Sequence, residues 1–197
     1  STLFPYTTLF RSASALDIKV VAPLHGPVHK DDIPFIIEKY NTWSSYLPDR
    51  SGIFMPYASI HGNTKKAVLE FAKELEAAGE TVVTMDLTDE DVSEAVEQAF
   101  LYDRMILAAC SYDGELFPPM NDLLHHLKIK NFQNRTVGII ENGSWAPIAA
   151  KKMKEYLESM KNITILDPVI SLKSTRKPTD NEAFEALKIA ILDTPHD

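Results

Sequence analysis

The segment Ile53-Phe54-Met55-Pro56-Tyr57-Ala58-Ser59-Ile60-His61-Gly62-Asn63-Thr64 passes from apolar residues into small, hydroxyl and amide residues. The run 65–78 follows at once, and its apolar residues at helical spacing are Val68, Phe71, Ala72 and Leu75. We therefore predict a strand, a short loop and an amphipathic helix in direct succession.

The loop of this unit has the composition of a phosphate-binding cradle. The first N–H groups of a helix have no partner inside the helix, and the helix dipole favours an anion beside them. Ser59 and Thr64 add hydroxyl groups, and Gly62 allows the backbone to turn closely. Because residues 59–64 contain no lysine, a phosphate here would be held by dipoles and hydrogen bonds. An ordinary turn with Asn63 or Thr64 as the helix cap is the alternative.

Composition limits the class of protein. The chain has 197 residues, of which 45% are hydrophobic, enough for one full domain and a fragment of another. The net charge of -8 argues against nucleic acids and anionic membrane surfaces as partners. One cysteine, Cys110, permits no intramolecular disulfide, and no apolar run approaches the roughly 20 residues of a membrane span. A cytoplasmic protein is the expectation.

The first residues differ in kind from the rest. Residues 2–12 match, residue for residue, the in-frame translation of a common sequencing-adapter oligonucleotide, so we exclude residues 1–12 from the fold prediction as an artefact. On that interpretation the natural gene is cut upstream of Ala13, and this chain is the C-terminal part of something larger.

Residues 13–51 are predicted to precede the main domain. A strand over 16–22 leads into a loop containing His25, which lies where a metal ligand could be. The alternative is that this single histidine is an ordinary loop residue without a metal. A helix follows at Asp31-Asp32, and the turn-rich segment 47–52 closes it. We interpret 31–51 as a linker helix.

Strands and helices alternate through residues 52–197. Further strands are predicted at 81–85, 105–110, 137–140 and 163–172, the last broken at Asp167-Pro168. Helices are predicted at 89–100, from Pro118 onwards, at 147–160 and at 181–192. This order predicts an α/β fold, a doubly wound, five-stranded parallel sheet.

Ligands of such sheets bind beyond the carboxyl ends of the central strands, where three loops are predicted. The first is 59–64, the second is 111–117 with Tyr112, and the third is 141–146 with Trp145. One phosphate cradle and two aromatic loops predict a flat, phosphorylated, aromatic ligand. Each aromatic residue alone could equally be a partly exposed member of the core.

The segment 57–64, Tyr-Ala-Ser-Ile-His-Gly-Asn-Thr, resembles the FMN-phosphate loop of flavodoxin-like domains. The segments 22–28, Ala-Pro-Leu-His-Gly-Pro-Val, and 141–145, Glu-Asn-Gly-Ser-Trp, resemble the flavodiiron proteins, also called A-type flavoproteins. In that family a metallo-β-lactamase-like diiron domain precedes a flavodoxin-like FMN domain. The resemblance implies the tail of the first domain at 13–30, the linker helix at 31–51 and the FMN domain at 52–197.

The resemblance also implies site residues. Those for the FMN phosphate are Ser59, Ile60, His61, Gly62, Asn63 and Thr64. Those for the isoalloxazine ring are Ser111, Tyr112, Asp113, Gly114, Glu115, Leu116, Asn142, Gly143, Ser144 and Trp145. It makes His25 a diiron ligand; the other ligands lie upstream in the family, so this chain alone is expected to be an electron-transfer module without catalytic residues.

In the intact parent, the resemblance implies an oxidoreductase. Electrons would pass from a reduced donor, such as rubredoxin or a flavin reductase, through FMN to iron, reducing O2 to water or NO to N2O. Head-to-tail homodimers bring flavin and iron together in that family. The alternatives are a free-standing flavodoxin-like electron carrier and an NAD(P)H-dependent quinone or flavin reductase.

Overall fold

The computed structural model describes residues 16–194. It divides the chain into two compact units, Ser1–Asp49 and Arg50–Asp197. The adapter-like segment 1–12 lies outside the described residues. Between residues 16 and 194, no helix combines the length and the apolar character that a membrane crossing requires.

The first unit contains one helix, α1 (Ile33–Ser44), in its described part. The predicted strand 16–22 is not formed as such, since Val21 makes a single antiparallel bridge with His29. The carboxylate of Asp32, at the start of α1, is hydrogen-bonded to the ring of His29, with 2.9 Å between Oδ2 and Nδ1. Asp32 does not cap the helix. The polar side chain that sequence would assign to the cap thus holds the preceding loop.

The second unit alternates strands and helices as predicted. Its strands are β1 (Arg50–Ala58), β2 (Val82–Asp86), β3 (Tyr102–Tyr112), β4 (Glu115–Leu116), β5 (Gln133–Asn142), β6 (Lys161–Ile165) and β7 (Ile170–Leu172). Its helices are α2 (Asn63–Ala77), α3 (Val92–Leu101), α4 (Pro118–Ile129), α5 (Ala149–Glu158) and α6 (Asn181–Leu192), with a 3-10 turn at Pro178–Asp180.

The sheet has the strand order β2-β1-β3-β5-β6, and all these neighbours are parallel. This confirms the predicted doubly wound α/β fold. The predicted strand 163–172 forms two pieces, since β6 pairs with the first half of β5 and β7 with its last residues. Pro168, between the two pieces, has no N–H to donate to a ladder. The short β4 pairs antiparallel with the end of β3.

Helices cover both faces of the sheet. One core contains the buried residues of α3, α4 and α5, and the other contains those of α2 and α6. Strand residues alternate between the two cores; Met105 and Leu107 belong to the first, and Ile106 and Ala108 to the second. Period-2 alternation on strands that are buried on both sides explains the continuous apolar runs in the sequence.

The strand register places several carboxyl ends at one edge. Ala58, the last residue of β1, pairs with Ala109 of β3. Asn142, the last residue of β5, pairs with Cys110 on one side and with Leu172, the last residue of β7, on the other. The segments that follow these strands therefore start side by side.

Candidate functional site

The helix α2 begins without a side-chain cap. Gly62 occupies the cap position at φ +80°, a left-handed conformation that glycine adopts without a steric penalty. The first helical hydrogen bond runs from Lys66 N to Gly62 O, at 2.9 Å. The N–H groups of residues 63–65 precede this bond and are the donors that an α-helix leaves without internal partners. The start of α2 thus lacks the side-chain cap from Asn63 or Thr64 that an ordinary capped turn would have, and the cradle stays a prediction.

Ser59 supplies the strongest sign that something polar belongs here. Its Oγ is shielded from solvent and makes no hydrogen bond, and within residues 16–194 it is the one buried side-chain N or O atom in that condition. An unpaired buried hydroxyl costs about 1–3 kcal/mol, so native proteins rarely retain one without a purpose. A bound anion would supply the missing partner.

Both lysines in the first turn of α2 have carboxylate partners; Lys66 Nζ lies 3.9 Å from Glu70 Oε1. Lys65 Nζ bonds Asp86 Oδ2 at 3.0 Å and lies 5.9 Å from the centre of the Tyr57 ring. The hydrogen bond to Asp86 raises the pKa of Lys65, whereas burial raises that of the Tyr57 phenol. An anion in the cradle would therefore be held chiefly by N–H groups and hydroxyls, as the sequence predicted.

The second predicted loop is a tight hairpin. Ser111 and Tyr112 end β3 and pair with Leu116 and Glu115 of β4. Asp113 and Gly114 form the turn, with φ of +50° and +72°, the signs that a type I′ turn requires at both central positions.

The hairpin presents an aromatic surface at its rim. Tyr112 is 45% exposed, and its ring centre lies 5.6 Å from that of Phe117. Leu116 is only 4% exposed and belongs to the core. Glu115 forms an ion pair with Lys152 of α5 at 2.7 Å, so its charge is partly compensated.

The third loop carries the most exposed aromatic residue of the unit, Trp145, at 90%. Ile60 of the first loop is 41% exposed, which also is high for a large apolar side chain. The residues near Trp145 are well anchored: Glu141 Oε2 accepts from Ala150 N at 2.9 Å at the start of α5. Exposed aromatic and aliphatic side chains on fixed loops can stack on a flat ligand.

Ser111 anchors the third loop to the second. Its Oγ accepts hydrogen bonds from Ile148 N at 2.8 Å and from Ala149 N at 3.1 Å, which caps α5 from outside the helix. Sequence reasoning assigned Ser111 to the ligand, and it gave no signal for this cap because the two partners are more than thirty residues apart.

We expect Ser111→Ala to lower the free energy of unfolding by about 1 kcal/mol, the usual cost of losing a cap. Urea denaturation followed by circular dichroism measures this value. Ser144→Ala is the matched control, since Ser144 is exposed in the segment between β5 and α5, the helix that Ser111 caps. Equal stability of the two variants would contradict the role of Ser111 as a cap.

A fourth segment, after β7, reaches the same edge and is not among the three predicted loops. Asn63 Nδ2 donates to Ser174 Oγ at 3.3 Å, and Asn142 Nδ2 donates to Ser174 O at 2.7 Å. These bonds bring Asn63 and Asn142, predicted on separate loops, to one residue. The sequence feature that could have indicated this segment is its position: residues 173–177 directly follow a predicted strand, at the edge where ligands of such sheets bind.

The predicted metal ligand lies in the other unit. His25 is exposed in the segment before α1. Among the described residues, 16–194, no group of three or more His, Cys, Asp or Glu side chains is arranged to hold a metal ion. These residues alone do not fit a diiron centre, and the role of His25 stays a prediction.

No family model matches the chain. Among curated proteins, an oxidase of reduced coenzyme F420 from Methanothermobacter marburgensis is 31% identical over 120 residues, covering 61% of this chain and 29% of that protein. An anaerobic nitric oxide reductase flavorubredoxin from Aeromonas salmonicida is 25% identical over 166 residues, 83% of this chain and 31% of the relative. The chain thus spans about a third of the length of these relatives.

Solved structures with the same fold include two kinds of flavoprotein. Rubredoxin oxygen:oxidoreductase from Desulfovibrio gigas matches with a TM-score of 0.84 and 18% identity, over 94% of this chain and 46% of that one. Flavodoxin 1 from Bacillus cereus matches with a TM-score of 0.64 and 18% identity, over 75% of this chain and 100% of that one.

The sequence relatives and the fold agree with the resemblance drawn from residues 22–28, 57–64 and 141–145. The chain is a relative of the flavodiiron proteins and carries a flavodoxin-like domain.

Proposed function

We propose that residues 52–197 bind FMN and carry electrons, as a module of a flavodiiron-type oxidoreductase. The observation that carries the proposal is the buried, unpaired Ser59 Oγ in the loop before the uncapped start of α2. A phosphate dianion accepts hydrogen bonds, and it would satisfy both the hydroxyl and the free N–H groups. The residues present therefore fit the phosphate of FMN.

The rest of the site suits the ring of this cofactor. Ile60, Tyr112 and Trp145 offer exposed apolar surface on three segments that start at one edge of the sheet. Their role in the proposal is to stack on the isoalloxazine ring and to exclude water from it. Bound FMN supplies one-electron and two-electron redox chemistry, whereas the protein orients the ring and tunes its electrostatic surroundings.

The proposed activity of the intact parent follows the flavodiiron resemblance. The names of the relatives, an F420-linked oxidase, a nitric oxide reductase flavorubredoxin and a rubredoxin:oxygen oxidoreductase, support oxygen or nitric oxide as terminal acceptor and rubredoxin as one class of donor. Iron binding, with His25 as one ligand, and a head-to-tail homodimer belong to this proposal. Segments 13–30 and 31–51 would be the end of the diiron domain and its linker.

A second candidate is a simple electron carrier. Flavodoxin 1 of Bacillus cereus is covered over its full length by 75% of this chain, which supports a flavodoxin-like carrier as the alternative. Both candidates require FMN, and they differ in whether electrons leave to a separate protein or to iron.

The test is reconstitution of the purified chain with FMN. We expect one FMN per chain, quenched flavin fluorescence and a flavin that is reduced by dithionite and reoxidised by an external acceptor. Measuring iron on the same sample gives the metal content separately. A chain that stays colourless after incubation with excess FMN, while its circular dichroism shows the folded α/β domain, would refute the proposal.

A further inference from the structure

Three polar side chains from three separate segments meet at the edge of the cradle. Asn63 is the first residue of α2, Asn142 is the last residue of β5, and Ser174 follows β7. We call these three residues the Ser174 bridge. The bridge connects the predicted phosphate loop with the third predicted loop through a residue that neither contains.

The side-chain amide of Asn142 forms hydrogen bonds with both the N–H and the C=O of Ser174. Its Nδ2 donates to Ser174 O at 2.7 Å, and its Oδ1 accepts from Ser174 N at 3.0 Å. Asn142 is 6% exposed, whereas Ser174 is exposed, so the two bonds are partly buried. A buried amide that donates to and accepts from one residue fixes the orientation of both peptide groups of that residue. Asn142 is therefore engaged with the protein itself.

Ser174 holds a backbone conformation that needs such support. Its φ is +76°, in the left-handed region, which is sterically unfavourable for a residue with a side chain. Residues in this condition are concentrated at functional sites and persist where the surroundings determine them. Here the two hydrogen bonds between Asn142 and the backbone of Ser174 hold Ser174 in this conformation. They leave the hydroxyl of Ser174 available to the neighbouring helix.

The hydroxyl of Ser174 reaches the start of α2. Its Oγ accepts a hydrogen bond from Asn63 Nδ2 at 3.3 Å. Asn63 carries one of the N–H groups that have no partner inside the helix. The bond therefore ties the helix end that forms the cradle to the strand end that begins the third loop.

We propose that Ser174 is a positioning residue: by bridging Asn63 to Asn142 it fixes the phosphate cradle relative to the ring-binding loops, and so sets the preference for FMN over riboflavin. This inference rests on the proposed function. Riboflavin has the same ring without the phosphate, so only the FMN complex uses a correctly placed cradle. A purely structural role would lower stability or weaken both flavins alike.

The experiment compares dissociation constants for FMN and riboflavin, measured by fluorescence quenching, in the full chain and in Ser174→Ala and Ser174→Gly. Losing one hydrogen bond that orients the cradle should raise the Kd for FMN about five-fold and leave that for riboflavin within about two-fold. Glycine adopts a positive φ freely, so an equal change in both variants assigns the effect to the hydroxyl.

A double-mutant cycle tests the partner. Asn63→Ala should raise the Kd for FMN to a similar extent. Combining it with Ser174→Ala should raise that Kd little further, because each single change already removes the same hydrogen bond. Ser171→Ala is the matched control: Ser171 is exposed on β7 and should leave both constants unchanged.

The outcomes separate the two proposals. If the wild-type chain binds FMN more tightly than riboflavin and both Ser174 variants keep the same ratio, the bridge has no positioning role and this inference is overturned. Additive effects in the cycle would also overturn it, because they would show that Asn63 and Ser174 act separately. If the wild-type chain binds neither flavin, the proposed function fails, and this inference fails with it.

Discussion

Replacing Ser59 with aspartate is expected to raise the Kd for FMN more than 100-fold while leaving riboflavin binding within a few-fold of the wild type. The new carboxylate would stand where the proposed phosphate sits. Two like charges about 4 Å apart near a protein surface repel by roughly 4 kcal/mol, and each 1.4 kcal/mol is a factor of ten in affinity. Titrating both flavins against the variant measures the two constants.

The folded state should tolerate this change. A carboxylate beside the first turn of a helix stabilises it by about 0.3–1 kcal/mol, which offsets part of the cost of placing a charge where Ser59 Oγ is shielded from solvent. Ser59→Ala removes the unpaired hydroxyl without adding charge, and should weaken FMN about five-fold at unchanged or higher stability. Thr179→Asp, with the same charge change at an exposed position, is the control. Undiminished FMN binding by Ser59→Asp would place the phosphate elsewhere.

Phe184→Ala should lower the free energy of unfolding by about 3–5 kcal/mol, the usual cost of emptying a buried aromatic site. Phe184 of α6 is fully buried and meets Phe71 of α2 edge to face, with ring centres 5.0 Å apart. The guanidinium of Arg176 lies 3.9 Å from the centre of the same ring. The substitution thus removes the packing that joins the two helices on this face of the sheet.

Thermal unfolding gives the size of this effect. For a domain of this length, 1 kcal/mol shifts Tm by about 2–4 °C, so a fall of roughly 10 °C is expected. Ile189→Ala is the matched control on the same helix, since Ile189 is 52% exposed and should change Tm by little. Adding FMN at 100 times its Kd should restore about 2.7 kcal/mol in every folded variant, because only the native state binds. Comparable losses for Phe184 and Ile189 would contradict the packing described for α6.

Much of the fold was predictable because its signals are local. The apolar run 105–110 and the helical spacing after Gly62 depend on residues close in sequence, and both elements formed where they were expected. The edge at which the strands end follows from their parallel order alone. The parallel order of the strands therefore predicts that the three loops start at the same edge of the sheet, as the structure shows.

What the sequence did not reveal depends on distant partners. Arg104 is 1% exposed, and its guanidinium forms an ion pair with Glu80 at 2.6 Å. The sequence of the strand alone does not predict that this arginine is buried or which carboxylate pairs with it. Ser111 capping α5 and Ser174 joining Asn63 to Asn142 likewise need contacts across more than thirty residues. The hairpin at Asp113-Gly114 had a local turn signal, which the interpretation of 111–117 as a loop left unused.

The measurement that tests the central claim most directly is a crystal structure of the chain reconstituted with FMN. We expect a phosphate oxygen within hydrogen-bond distance of Ser59 Oγ and of the backbone N–H groups at the start of α2, with the ring between the hairpin carrying Tyr112 and the loop carrying Trp145. A structure in which FMN occupies another place, with Ser59 Oγ still buried and unpaired, would contradict the account.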